Sequence, residues 1–109
     1  MIVRFLLRVR LVSNTVMAYL KLEDYEEASF WGNRTIEMLP SGVDDVGWLS
    51  GFAGSPEVGK IYYRTAIALR ELGAKAKARS YLEMATRYLP NDIIVAKDLA
   101  ALKNPSYVG

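Results

Sequence analysis

The sequence predicts an all-α chain of stacked antiparallel helix hairpins. Three observations carry that prediction. Between Glu57 and Pro90, apolar residues recur at three- and four-residue spacing in two runs divided by Gly73. A slide of the chain by 50 residues lays this stretch on an earlier one of the same pattern. Each of the two copies closes on a proline, Pro40 and Pro90, the residue type that stops a helix.

The second copy is the plainer one. Its first helix carries Ile61, Tyr62, Ala66, Ala68, Leu69 and Leu72 on an apolar stripe, and Gly73 suits the position just past a helix C-terminus. Its second helix runs from about Lys75 to Leu89, with Ala78, Tyr81, Leu82, Ala85 and Leu89 on one side. Small residues at Ala66, Ala78 and Ala85 allow two helix backbones to approach closely. Under the 50-residue slide Ala28 meets Ala78, Trp31 meets Tyr81, Leu22 meets Leu72, and Leu39 meets Leu89. The first copy differs at three places: Val16 stands for Ala66, Glu23 for the turn glycine, and Thr35 for Ala85. Self-similarity of this kind marks a helical repeat array.

Composition narrows the chemistry. With 109 residues and 51% hydrophobic content, the chain suits one small domain with a modest core. It has no cysteine and no histidine, which removes disulfides, thiol chemistry, the commonest metal ligand and the usual general base. The net charge of +2 is segregated. Residues 1–22 carry four basic and no acidic side chains, 23–58 carry eight acidic and one basic, and 59–109 carry nine basic and four acidic.

The N-terminal MIVRFLLRVRLV is too short and too rich in arginine for a membrane span, and no small-residue cleavage site follows it cleanly. Its basic, acid-free composition fits a mitochondrial-type presequence, but it runs straight into a repeat helix. It reads better as an extension of the first helix, apolar nearly all round and therefore covered on more than one side. Arg10 to Leu22 continues that helix and Glu23-Asp24 turns the chain. Asp24 is placed to cap the next helix, Tyr25 to Leu39, whose positive end suits Glu26 and Glu27. Gly32 inside it costs about 1 kcal/mol relative to alanine, so it reads as a close-packing point beside Trp31, with a bend as the alternative.

Residues 41–56, SGVDDVGWLSGFAGSP, break the pattern and hold four of the eight glycines. Trp48, Leu49 and Phe52 there either cap the open end of the hairpin core or meet a partner. Asn91-Asp92 opens a last helix, Ile93 to Lys103. Ile94, Ala96 or Lys97, Leu99 and Leu102 form its apolar edge, and Lys97, Asp98 and Lys103 face water. Such a helix covers the exposed side of the last hairpin, as repeat arrays require. The organisation is then hairpin one at about 2–39, an inserted loop at 41–56, hairpin two at 57–89, a capping helix at 92–103 and a tail at 104–109.

Leading helices of stacked hairpins line a concave groove. Helical spacing places Lys60, Tyr63, Arg64 and Ile67 there from hairpin two. The slide adds Arg10, Ser13, Asn14 and Met17 from hairpin one. Lys60 and Arg64 lie one turn apart, so both heads reach one carboxylate, a planar fork beside a mobile point charge. Other chemistries fare worse. Asp44-Asp45 lacks the further oxygen ligands of a calcium loop. Ser13, Ser29 and Ser80 have no histidine for a triad. GWLSGFAG lacks the Lys-Ser/Thr ending of a phosphate-binding loop. The basic residues of the last segment spread over inner and outer faces, unlike a nucleic-acid stripe. No cofactor is expected.

The pattern resembles the tetratricopeptide repeat: a small residue facing the partner helix, a Leu-Gly-like turn, an alanine early in the second helix, another seven residues later, and a closing proline. The likeness covers roughly residues 9–103. The usual period of that family is about 34 residues, so the spacing here implies an insertion of some 16. VSNTVMAYLKLEDY and KIYYRTAIALRELG are similar to the second and third repeats of co-chaperone tetratricopeptide domains, found in large immunophilins and related adaptors. In that family such an asparagine and such a Lys-x-x-x-Arg pair clamp the C-terminal carboxylates of heat-shock chaperones ending in Glu-Glu-Val-Asp. The resemblance therefore implies that Asn14, Lys60 and Arg64 form part of a peptide clamp. The family's other clamp residues, a lysine and an asparagine, sit on a first repeat with no counterpart here. It further implies an α-solenoid with a non-catalytic, cytoplasmic, protein-binding role. Two alternatives stand beside it. The chain is the repeat portion of a larger enzyme such as a peptidyl-prolyl isomerase, or it self-associates as a homodimer through its apolar N-terminal helix.

Overall fold

The structure, a computed structural model, describes residues 2–39 and 55–103. Among these the regular elements are five helices: α1 (Ile2–Lys21), α2 (Tyr25–Glu37), α3 (Ser55–Glu71), α4 (Lys75–Tyr88) and α5 (Ile93–Lys103). The expectations for Trp48, Leu49, Phe52 and Asp44-Asp45 lie outside the described residues.

The two hairpin turns share one hydrogen-bond scheme. In the second, the Gly73 amide donates to Arg70 O (3.0 Å) and the Ala74 amide to Leu69 O (2.9 Å), with Gly73 at φ +88°. In the first, Glu23 donates to Leu20 O (3.0 Å) and Asp24 to Tyr19 O (2.9 Å), with Glu23 at φ +57°. Both are helix C-terminal motifs closed by a left-handed residue. The 50-residue correspondence therefore extends to the backbone, and Glu23 adopts a conformation for which glycine is the natural residue. Asp24 then caps α2, its Oδ1 accepting from the Glu27 amide at 3.3 Å.

α1 packs against α2 and α3, α2 also touches α3, α3 pairs with α4, and α4 carries α5. Val9 shares a core cluster with Val58 and Ile61, while Val16 clusters with Ala28 and Ala68. Contacts thus advance in the same direction along α1 and α3, which run parallel, offset by about one repeat. Ile61, Ala66, Ala68, Ala78, Leu82 and Ala85 are fully buried. Tyr62 stands between Tyr81, edge-on at 5.4 Å, and Tyr88, stacked at 6.1 Å.

Two glycines set the helix separations. A methyl on Gly32 would lie 2.8 Å from Thr65 Cβ, so α2 and α3 touch at backbone distance. One on Gly59 would meet Leu89 and Tyr88 at 2.7–2.9 Å. Gly32 is thus the close-packing point expected, with Thr65 of the other hairpin as its neighbour.

The structure differs from the sequence reading in several particulars. α3 begins at Ser55, so Ser55 and Pro56 belong to the helix and not to the loop, and proline suits a first turn because its missing amide has no partner there. α2 stops at Glu37, with Met38 as its cap. Leu72 is exposed. In α5, Val95 is buried and Ile94 is 64% exposed. Asp98, expected in water, points back to the body of the fold, where Tyr63 Oη donates to it at 2.7 Å and Arg70 lies at 3.7 Å. The inward face of α5 is Val95, Asp98, Leu99 and Leu102, an ordinary helical stripe holding one charge. Asp92 caps this helix, accepting from the Ile94 and Val95 amides at 3.0 and 3.1 Å.

Candidate functional site: a basic patch on the leading helices

The eight residues expected to line a groove do not all present themselves alike. Arg10 and Asn14 are exposed on α1, and Met17 is half-buried one turn further on. Ser13, expected to offer its hydroxyl to a ligand, is fully buried. On α3, Lys60 is exposed and Tyr63, Arg64 and Ile67 are half-buried. Tyr63 is turned to α5 through Asp98, so its hydroxyl serves the C-terminal helix. Burial, followed by the Asp98 hydrogen bond, raises the Tyr63 pKa well above the ordinary tyrosine value.

One contact ties the two leading helices together. Arg64 Nη1 donates to Ser13 Oγ at 2.9 Å and to the Ser13 carbonyl at 3.0 Å. Both bonds use one nitrogen, and a guanidinium has five N–H donors. Asn14, adjacent to Ser13, belongs to the same turn of α1. The structure therefore brings Arg64 onto the α1 turn that carries Ser13 and Asn14. Sequence reasoning placed the three in one neighbourhood but missed the direct bond, because helical spacing assigns faces and not rotamers.

Among the described residues no carboxylate forms an ion pair with Arg64, and its two hydrogen bonds go to neutral oxygens. Burial lowers its pKa from the ordinary arginine value, while the Glu57 carboxylate pulls weakly the other way. Lys60, one turn away, meets Glu57 at 3.7 Å, with 48% of its side chain exposed. Such a surface pair contributes at most about 1 kcal/mol and yields readily to a stronger anion. Asp98 was the other polar residue missed. Its spacing of three from Val95 and four from Leu102 was the available signal.

No protein-family model matches the chain, and comparison with curated proteins and with solved structures returns no match. Among the described residues, no helix is long and apolar enough to cross a membrane.

Proposed function

We propose that the chain is a non-catalytic, cytoplasmic peptide-binding module of the tetratricopeptide type, taking an acidic peptide with a free C-terminal carboxylate along α1 and α3. The observation that carries this reading is Arg64. A half-buried guanidinium, bonded to α1 and paired with no carboxylate among the described residues, carries a desolvation cost that an incoming anion offsets. Its remaining N–H groups suit a planar two-oxygen acceptor. Lys60 adds a second cation one turn away and Asn14 an amide for a backbone carbonyl. Support for the repeat type comes from the paired turns at Glu23 and Gly73 and from the parallel leading helices. A heat-shock chaperone C-terminus is the partner that the resemblance to co-chaperone domains suggests.

The test is calorimetric titration of a short acidic peptide ending in a free carboxylate. Binding should weaken with added salt, and by roughly 10- to 100-fold in Arg64→Ala, the range for loss of a charge-assisted hydrogen bond. Lys60→Ala should lose less. If the C-terminally amidated peptide binds equally well, the carboxylate is not what Arg64 recognises and the reading fails.

A further inference from the structure

The 50-residue correspondence exposes an asymmetry between the two leading helices. On α3, Ile61, Thr65 and Ala68 are fully buried. Thr65 lies under Gly32, and Ala68 lies against Val16 and Ala28. Their counterparts on α1 are Leu11, Thr15 and Ala18, and all three are exposed. Leu7, Leu11, Ala18 and Leu22 recur at intervals of four, seven and four residues, which sets them on one stripe of α1. Leu7 is 52%, Leu11 67% and Leu22 74% exposed. Thr15 sits mid-stripe with its hydroxyl already donating to Leu11 O at 3.0 Å, so its methyl is free to face an apolar neighbour. At Leu11, Thr15 and Ala18 the face is built as the buried face of α3 is built, yet nothing described covers it.

We infer that this stripe is a homodimer interface in which α1 of two copies pair antiparallel about a two-fold axis near Thr15. The stripe is complementary to its own reverse. With the axis between residues 14 and 15, Leu7 faces the partner's Leu22 and Leu11 faces the partner's Ala18, a large side chain over a small one. Charge selects the same orientation. Arg8 and Arg10 flank the N-terminal end of the stripe. Glu23, Asp24, Glu26 and Glu27 surround its C-terminal end against the single cation Lys21. Antiparallel pairing sets basic end on acidic end, whereas parallel pairing sets like on like. The interface uses no residue of α3, so Lys60 and Arg64 take no part in it, whereas Asn14, beside the axis, is shared with the proposed peptide site. One helix from each copy makes a small interface, at the weak end of specific association. The expected dissociation constant is of order 10 µM.

Sedimentation of the full chain from about 1 to about 500 µM, roughly ten-fold below to roughly fifty-fold above that value, should show a monomer–dimer equilibrium. Leu11→Glu should shift it at least 50-fold toward monomer. Because Leu11 is exposed in the single copy, a circular-dichroism melt of this variant should match the parent. The chain has no cysteine, which permits a clean orientation test. Under mild oxidation Thr15→Cys, at the axis, should cross-link to a disulfide dimer. Leu7→Cys should not, since its two copies stand about 22 Å apart along the helix. A monomer at every concentration, as expected if the stripe takes a different protein, overturns the inference. So does a dimer that survives Leu11→Glu, or equal cross-linking at positions 7 and 15.

Discussion

Gly32→Ala tests the contact between the two hairpins, because two principles predict opposite signs for it. In an isolated helix, alanine for glycine gains about 1 kcal/mol. At this position the new methyl would stand 2.8 Å from both Cβ and Cγ2 of Thr65. Carbon atoms rest at about 3.5–4.0 Å, so roughly 0.7 Å or more must be found. Rotation of Thr65 moves Cγ2 but not Cβ, which is rooted in the backbone of α3. The helices must therefore part, and overpacking of this kind costs about 1–3 kcal/mol beyond the strain-free expectation. The contact crosses between hairpins, so nothing within either hairpin relaxes it. The variant should lose up to about 2 kcal/mol net in urea unfolding, with an unchanged m-value. Thr65→Ala removes Oγ1 and Cγ2 and so should recover part of that loss in the double variant. It also deletes a buried hydroxyl oxygen with no hydrogen-bond partner. A Gly32→Ala chain that is more stable by about 1 kcal/mol, as helix propensity alone dictates, would show that α2 and α3 do not touch there.

Three further outcomes follow from local features. Glu23→Gly removes a side chain from a left-handed residue at φ +57° and should stabilise the first turn by about 0.5–1 kcal/mol, read as a raised urea midpoint. Asp98→Ala and Tyr63→Phe each break the 2.7 Å bond that holds α5, so each should cost about 1–2 kcal/mol and the pair should be clearly non-additive, checked by a double-mutant cycle. Alkaline stability supplies the last. The Tyr63 pKa is higher folded than unfolded, so its contribution is intact below pH ~10 and is lost progressively above it. Tyr81, raised by burial and then by Glu37, acts in the same direction. The melting temperature should therefore fall from about pH 10 upward, and Tyr63→Phe should flatten that fall.

Much of the helical architecture was legible in the sequence, for a definite reason. Helix spacing, the glycine turn, the Asp24 and Asp92 caps and the closing prolines are local signals, and each acts within about four residues. The 50-residue copy then supplied a long-range correspondence that the two turns reproduce bond for bond. The groove residues were legible only as a set of faces. Whether a serine lies under an arginine or beside it depends on how two helices approach, which no local pattern encodes. Asp98 shows the same limit: its spacing put it on the apolar stripe of α5, but its charge argued for water, and only Tyr63 and Arg70 opposite it decide in favour of the interior.

The sequence by itself determined the helical class and the hairpin turns, and it nominated a set of cations and an amide on the two leading helices. Tertiary structure alone decided which side chains there are engaged: Ser13 with Arg64, Tyr63 with Asp98 and Lys60 with Glu57, while Asn14 is left toward solvent. The physical reason is reach. Backbone preferences and side-chain periodicity are set by neighbours along the chain, whereas burial and hydrogen-bond partnership are set by whichever helix closes in from fifty residues away.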